Sequence, residues 1–170
     1  MRQDIELLAH RLLDAARAAG ADAADSIVMQ GTSLSIDVRA GRLEQADRSE
    51  GLDLGLRVLV GQRQANVSVS DARDATLVAM AERAVAMARE APEDDCIGLA
   101  DPAQLASGWD LDALELADPT AEPDPAALQA DALAAEAAAM AVSGVTQVQS
   151  ATAGYSRTQV HLAATNGFSG

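Results

Sequence analysis

The sequence is poor in several residue types on which common kinds of site depend. Its 170 residues include one cysteine, two histidines and one each of Phe, Tyr and Trp. A single cysteine excludes an internal disulfide, which fits a reducing cytoplasm. Few aromatic rings leave few platforms on which nucleic-acid bases could stack. The core must therefore be built from Leu, Val, Ile and Ala.

Positive charge is scarce as well, and most of the second half of the chain has none. The formal net charge is −14. Residues 90–156 contain 13 acidic residues and no Lys or Arg. Affinity for phosphates comes mainly from basic side chains, which argues against direct binding of nucleic acid. A solvated acidic surface is the favoured interpretation of this span.

Long apolar runs are also missing. No stretch reaches the roughly 18 unbroken apolar residues of a membrane span. The first 20 residues carry acidic side chains and a helical period, which is not the pattern of a signal peptide. We therefore expect a cytoplasmic protein without membrane contact.

Hydrophobic periodicity predicts three helices and several short strands. The helices are expected over residues 4–19, from a cap at Ser70 or Asp71 to Arg89, and from Pro125, capped by Asp124, to about Val142. The strands are expected over residues 25–30, 33–39, 43–49, 52–60 and 65–69, followed by a last hairpin around Gly154-Tyr155. Alternation with one polar face indicates an α+β fold, a mostly antiparallel sheet with helices packed on one face.

The strand over residues 52–60 contains the charged group of greatest interest. Its even-numbered residues are apolar, and Asp53 and Arg57 lie on the other face. Arg57 is expected to pair with Asp53 or with an acid on a neighbouring strand. The alternative is functional, in that Asp53 and Arg57 face a partner or a peptide.

The sequence offers little catalytic or metal-binding chemistry. A zinc site needs three or four converging ligands, and His10, His161 and Cys96 are far apart in sequence. His10 opens the segment His-Arg-Leu-Leu-Asp, in which we find no second ligand at helical spacing. Cys96 follows three acidic residues whose charges oppose a thiolate. We therefore predict no catalytic residue and no metal ligand.

Four segments follow one another along the chain: SLSIDVRAGRLEQADRSEGLDLGLRVLVGQRQANVSVSD, EDDCIGLADPAQLA, DLDALELADP and TNGFSG. Taken in this order, they resemble the amino-terminal domain of the TldD/PmbA family, and its PmbA (TldE) branch in particular. The segment RQANVS departs from the family, whose members often carry a run of Gly, Ser and Ala there.

The resemblance implies a framework role. Family members are longer, so residues 1–170 are expected to form a single amino-terminal domain, with the β-rich carboxy-terminal domain missing from this chain. The resemblance implies that TldD and TldE are partner subunits of a cytoplasmic metalloprotease complex that processes or degrades peptides. The zinc of TldD lies on a His-Glu-x-x-x-His helix, and this chain lacks that motif. We therefore expect a non-catalytic domain without a cofactor of its own, with zinc only in a TldD-type partner.

The resemblance also bears on partners and on other functions. The expected partners are a TldD-like subunit, a second copy of the chain, and peptide substrate in the full complex. A family label, modulator of DNA gyrase, suggests instead a regulator of gyrase that acts by protein contact. A third hypothesis is a module that binds extended peptides along a sheet edge by β-augmentation.

Overall fold

The computed structural model describes residues 4–106, 108 and 110–170. Trp109, which lies in the acidic span 90–156, is outside them. In chain order the elements are α1 (Ile5–Ala19), β1 (Ala23–Arg39), β2 (Arg42–Val60), β3 (Arg63–Val69), α2 (Asp74–Glu90), a 3-10 helix (Pro102–Gln104), α3 (Pro125–Met140) and β4 (Ala151–Ala164). The strands form one antiparallel sheet in the order β3-β2-β1-β4, with the three helices packed against it. The predicted α+β class is confirmed.

The strands are longer than the sequence predicted. Residues 25–30 and 33–39 belong to one strand, β1, and residues 43–49 and 52–60 belong to one strand, β2. The hairpin predicted around Gly154-Tyr155 is wrong, because β4 runs straight through both residues. A Cβ atom at Gly154 would lie 3.3 Å from the carbonyl oxygen of Leu34. This glycine therefore permits a close approach of two strands rather than a turn.

The helix ends follow the side chains that flank them. Asp4 caps α1 by accepting a hydrogen bond from Leu7 N at 3.1 Å, and Asp124 caps α3, with Pro125 as its first residue. The predicted start of α2 is wrong, since Arg73 holds the cap position. The Asp71 carboxylate instead accepts hydrogen bonds from Arg73 and Thr76. Those bonds, led by that from the Arg73 side chain, hold the pKa of Asp71 well below its usual range.

Two compact units divide the chain. The first comprises the described residues of 1–30, 51–109 and 159–170. Its core joins one face of the sheet to α1 and α2, and the fully buried large side chains are Leu12, Leu13, Val28, Leu54, Leu56, Val58 and Val85. Burying such aliphatic side chains is the main driving force for packing the helices on this face.

The second unit comprises residues 31–50 and the described residues of 110–158. Helix α3 packs Leu128 and Ala132 against Leu34, Ile36 and Val38 of β1. Glu136, only 7% exposed, accepts hydrogen bonds from Ala40 N at 2.6 Å and Gly41 N at 2.8 Å. Both turn residues have positive φ, 51° and 70°. The buried carboxylate thus holds the turn between β1 and β2.

None of the helices in the described ranges is long and apolar enough to cross a lipid bilayer.

Candidate functional site

A shallow depression lies on the sheet face that α1 and α2 leave uncovered in the first unit. Strands β1, β2 and β3 contribute to it, because alternate residues of a strand point to opposite faces. Its volume is about 320 Å³, and it is lined by Asp25, Ile27, Gly55, Arg57, Asn66 and Ser68, among others. Their neighbours in sequence, such as Val28, Leu54 and Leu56, lie in the core.

Arg57 and Asp25 form an ion pair within this depression. Arg57 Nε donates to Asp25 Oδ2 at 2.7 Å, and Arg57 Nη2 donates to the same oxygen. The two side chains are 34% and 33% exposed, so the pair borders solvent. Two partners were expected for Arg57, either Asp53 or an acid on a neighbouring strand. In the structure the partner is the acid on the neighbouring strand, Asp25.

The structure does not bring the two predicted site residues together. Asp53 accepts a hydrogen bond from Ser70 Oγ at 3.1 Å, and it does not line the depression. Arg57 remains a candidate for partner contact because it lies in a concave, partly apolar surface. Asp53 remains an exposed side chain four residues from Arg57 on the same face of β2.

The floor of the depression has its shape because Gly55 is a glycine and has no Cβ atom. A Cβ atom there would lie 2.8 Å from Ile27 Cγ2, closer than packed carbon atoms allow. Ile27 therefore lies over Gly55 from the adjacent strand. The result is a half-exposed apolar side chain beside a charged pair, a combination suited to protein or peptide contact.

A second group of polar side chains comes from α1 and β4. Glu6 and His10 lie one turn apart on α1, and His161 lies on β4. One potential ligand atom from each of these residues lies within 4.8 Å of the others. The imidazole rings are 6.2 Å apart between centroids and are tilted by 55°. Ser169 Oγ lies between them, 3.1 Å from His161 Nε2 and 3.3 Å from His10 Nε2.

This geometry corrects two statements made from the sequence. The histidines are far apart in sequence, but they meet in the fold. Glu6 and Asp14 both stand at helical spacing from His10, because side chains four residues apart share a helix face, and Glu6 is the one that joins the group with His161. That spacing was visible in the sequence, whereas the approach of His161 requires the position of β4 against α1. Cys96 is exposed in the loop after α2.

Comparisons with known proteins agree on one family. Residues 24–88 match the family model described as PmbA/TldA metallopeptidase domain 1. A curated relative, the metalloprotease PmbA homolog of Haemophilus influenzae, is 30% identical over 128 residues, which are 70% of this chain and 28% of the relative. The chain thus spans less than a third of that relative.

Solved structures share the fold over nearly the whole chain. A protein of Bacteroides thetaiotaomicron, named as a candidate modulator of DNA gyrase, superposes with a TM-score of 0.77 at 19% identity, covering 100% of this chain and 39% of that one. TldE of Thermococcus kodakarensis superposes with a TM-score of 0.73 at 16% identity, covering 96% and 36%. At such identities the likeness concerns the fold.

We predict that Gly55→Ala lowers the free energy of unfolding by about 1–3 kcal/mol, because the added methyl group displaces Ile27. Gly51→Ala is the matched control on the same strand, since no atom lies within 4 Å of a Cβ built there. Its effect should lie between zero and a gain of about 1 kcal/mol. Urea denaturation followed by circular dichroism measures both, and equal effects would contradict the packing described for Ile27.

Proposed function

The chain belongs to the PmbA/TldD family, and it matches the family's first domain. We propose that it serves as a non-catalytic framework and interface domain of a metalloprotease complex. In this proposal the complex is cytoplasmic and processes or degrades peptides. The catalytic zinc is held by a TldD-type partner subunit, and this chain contributes no catalytic residue. The partner is that subunit or a second copy of this chain.

The proposal rests on the sequence around the two histidines. His10 is followed by Arg11, and His161 is followed by Leu162. Neither therefore begins the His-Glu-x-x-x-His segment that the resemblance implies for the zinc helix of TldD. The group of Glu6, His10 and His161 comes from a helix and a strand, with two of its three members exposed. These residues do not fit the zinc helix of the family.

The uncovered sheet face of the first unit supports a role as an interface. Ile27 and Met29 of β1 are 36% and 38% exposed, and both lie on the face that carries Arg57. Partly exposed aliphatic side chains around an Arg are typical of protein interfaces, in which Arg is enriched and Lys is depleted. The net charge of −14 argues against nucleic acid as the partner. A link to gyrase through protein contact stays a prediction.

We predict that Arg57→Ala weakens the complex with a TldD-type subunit by at least about fivefold, because truncation of a central interface Arg typically costs more than 1 kcal/mol. Arg83→Ala is the matched control, an exposed Arg on α2 in the same unit. Isothermal titration with the purified partner measures both affinities. Equal affinities for the variant and the control would show that this face is not the interface.

A second candidate function, β-augmentation, rests on the edge of β2. Strand β3 pairs only with Leu54–Val60, although β2 begins at Arg42. Within the described residues, the preceding part of β2 has no strand partner on that side. An unpaired strand edge can accept an extended peptide through main-chain hydrogen bonds. Charged side chains on this segment disfavour uncontrolled pairing of the edge with strands of other chains.

If peptides add to this edge, an extended peptide should slow amide hydrogen exchange in residues 42–53. Exchange in Arg63–Val69, which is already paired, should not change. The same peptide with N-methylated backbone amides is the control, because it cannot complete the hydrogen-bond ladder. Equal protection by both peptides, or none by either, would exclude β-augmentation at this edge.

A further inference from the structure

We infer that Glu6, His10 and His161 form a surface site for a divalent transition-metal ion, with Zn²⁺ as the best match. This inference goes beyond the proposed function and revises the expectation that the chain binds no metal. It concerns an ion that joins α1 to β4. It is separate from the zinc assigned above to the partner subunit.

The imidazoles of His10 and His161 both face the hydroxyl of Ser169. His10 Nε2 and His161 Nε2 both lie within hydrogen-bond distance of one hydroxyl, Ser169 Oγ. A hydroxyl has one hydrogen to donate, so it cannot donate to both nitrogens at once. At least one imidazole therefore carries a proton on Nε2 in the metal-free chain, and that proton must leave the nitrogen when a metal ion binds there. Two ring nitrogens turned toward one point are the arrangement that a shared metal ion requires.

Glu6 adds a third potential ligand close to the two imidazoles. Glu6 supplies a carboxylate from the preceding turn of α1, and the three ligand atoms lie within 4.8 Å of one another. Ligands on a tetrahedral Zn²⁺ with bonds of about 2.0–2.1 Å are separated by about 3.3 Å. Glu6 and His10 are exposed, so rotation of their side chains can close the difference. Water or Ser169 Oγ completes the coordination.

The donor set decides the class of metal. Two imidazole nitrogens and one carboxylate oxygen suit Zn²⁺, Cu²⁺ and Ni²⁺, whereas Mg²⁺ and Ca²⁺ prefer oxygen ligands throughout. The ligands come from positions 6, 10 and 161, and they converge only when the chain is folded. Binding must therefore stabilise the fold, since the unfolded chain offers no such site.

The test uses the untagged 170-residue chain, freed of metal with a chelator. We predict binding of one Zn²⁺ per chain by isothermal titration, and a visible absorption band with Co²⁺. At a free Zn²⁺ concentration of about 100 times Kd, the Tm should rise by about 5–10 °C. Mg²⁺ at the same concentration should leave the Tm unchanged.

Variants assign the ligands. Glu6→Gln should weaken Zn²⁺ binding by at least about tenfold, and His10→Asn and His161→Asn should abolish the Co²⁺ band. Glu82→Gln removes the same charge from an exposed position on α2 and should bind as the unaltered chain does. Glu6 and His10 are exposed, so their variants keep the test valid if His161→Asn does not fold. Absence of Zn²⁺ binding, or binding that survives His10→Asn, would overturn the inference.

Discussion

The fold depends on burying one face of a sheet whose strands alternate apolar and polar residues with period two. Val28, Leu54, Leu56 and Val58 are fully buried beneath α1 and α2, and burying them commits every intervening residue to the other face. Asp25, Ile27, Gly55 and Arg57 are those intervening residues. The candidate interface is therefore a consequence of how the core is built, because a residue cannot change face without shifting the whole strand.

The sequence predicted the fold class and the helices well, because these depend on local periodicity. Leu8, Leu12 and Leu13 repeat at helical spacing, and all three are buried. Strand lengths were predicted poorly, since Gly31 and Gly51 separate predicted strands, whereas the structure has them inside β1 and β2. The start of α2 was missed because Asp71 binds the side chains of Arg73 and Thr76 instead of capping the helix.

The candidate sites required information that periodicity does not contain. Which acid pairs with Arg57 depends on how β1 lies against β2, and that register placed Asp25 rather than Asp53 beside the guanidinium. Likewise, the meeting of His10 and His161 depends on where β4 lies against α1. Glu6 was the exception, because its spacing from His10 could be seen in the sequence. Separation along a chain is a poor guide to which ligands converge.

Metal binding and catalysis are separate questions for this chain. Under the inference above, an ion held by α1 and β4 would stabilise the fold, whereas the proposed function assigns peptide cleavage to a TldD-type subunit. The most direct measurement is therefore peptidase activity of the Zn²⁺-saturated chain on an unfolded protein substrate, without a TldD-type subunit. We predict no cleavage above the rate of the metal-free chain. Zinc-dependent cleavage that disappears in His10→Asn would contradict this prediction.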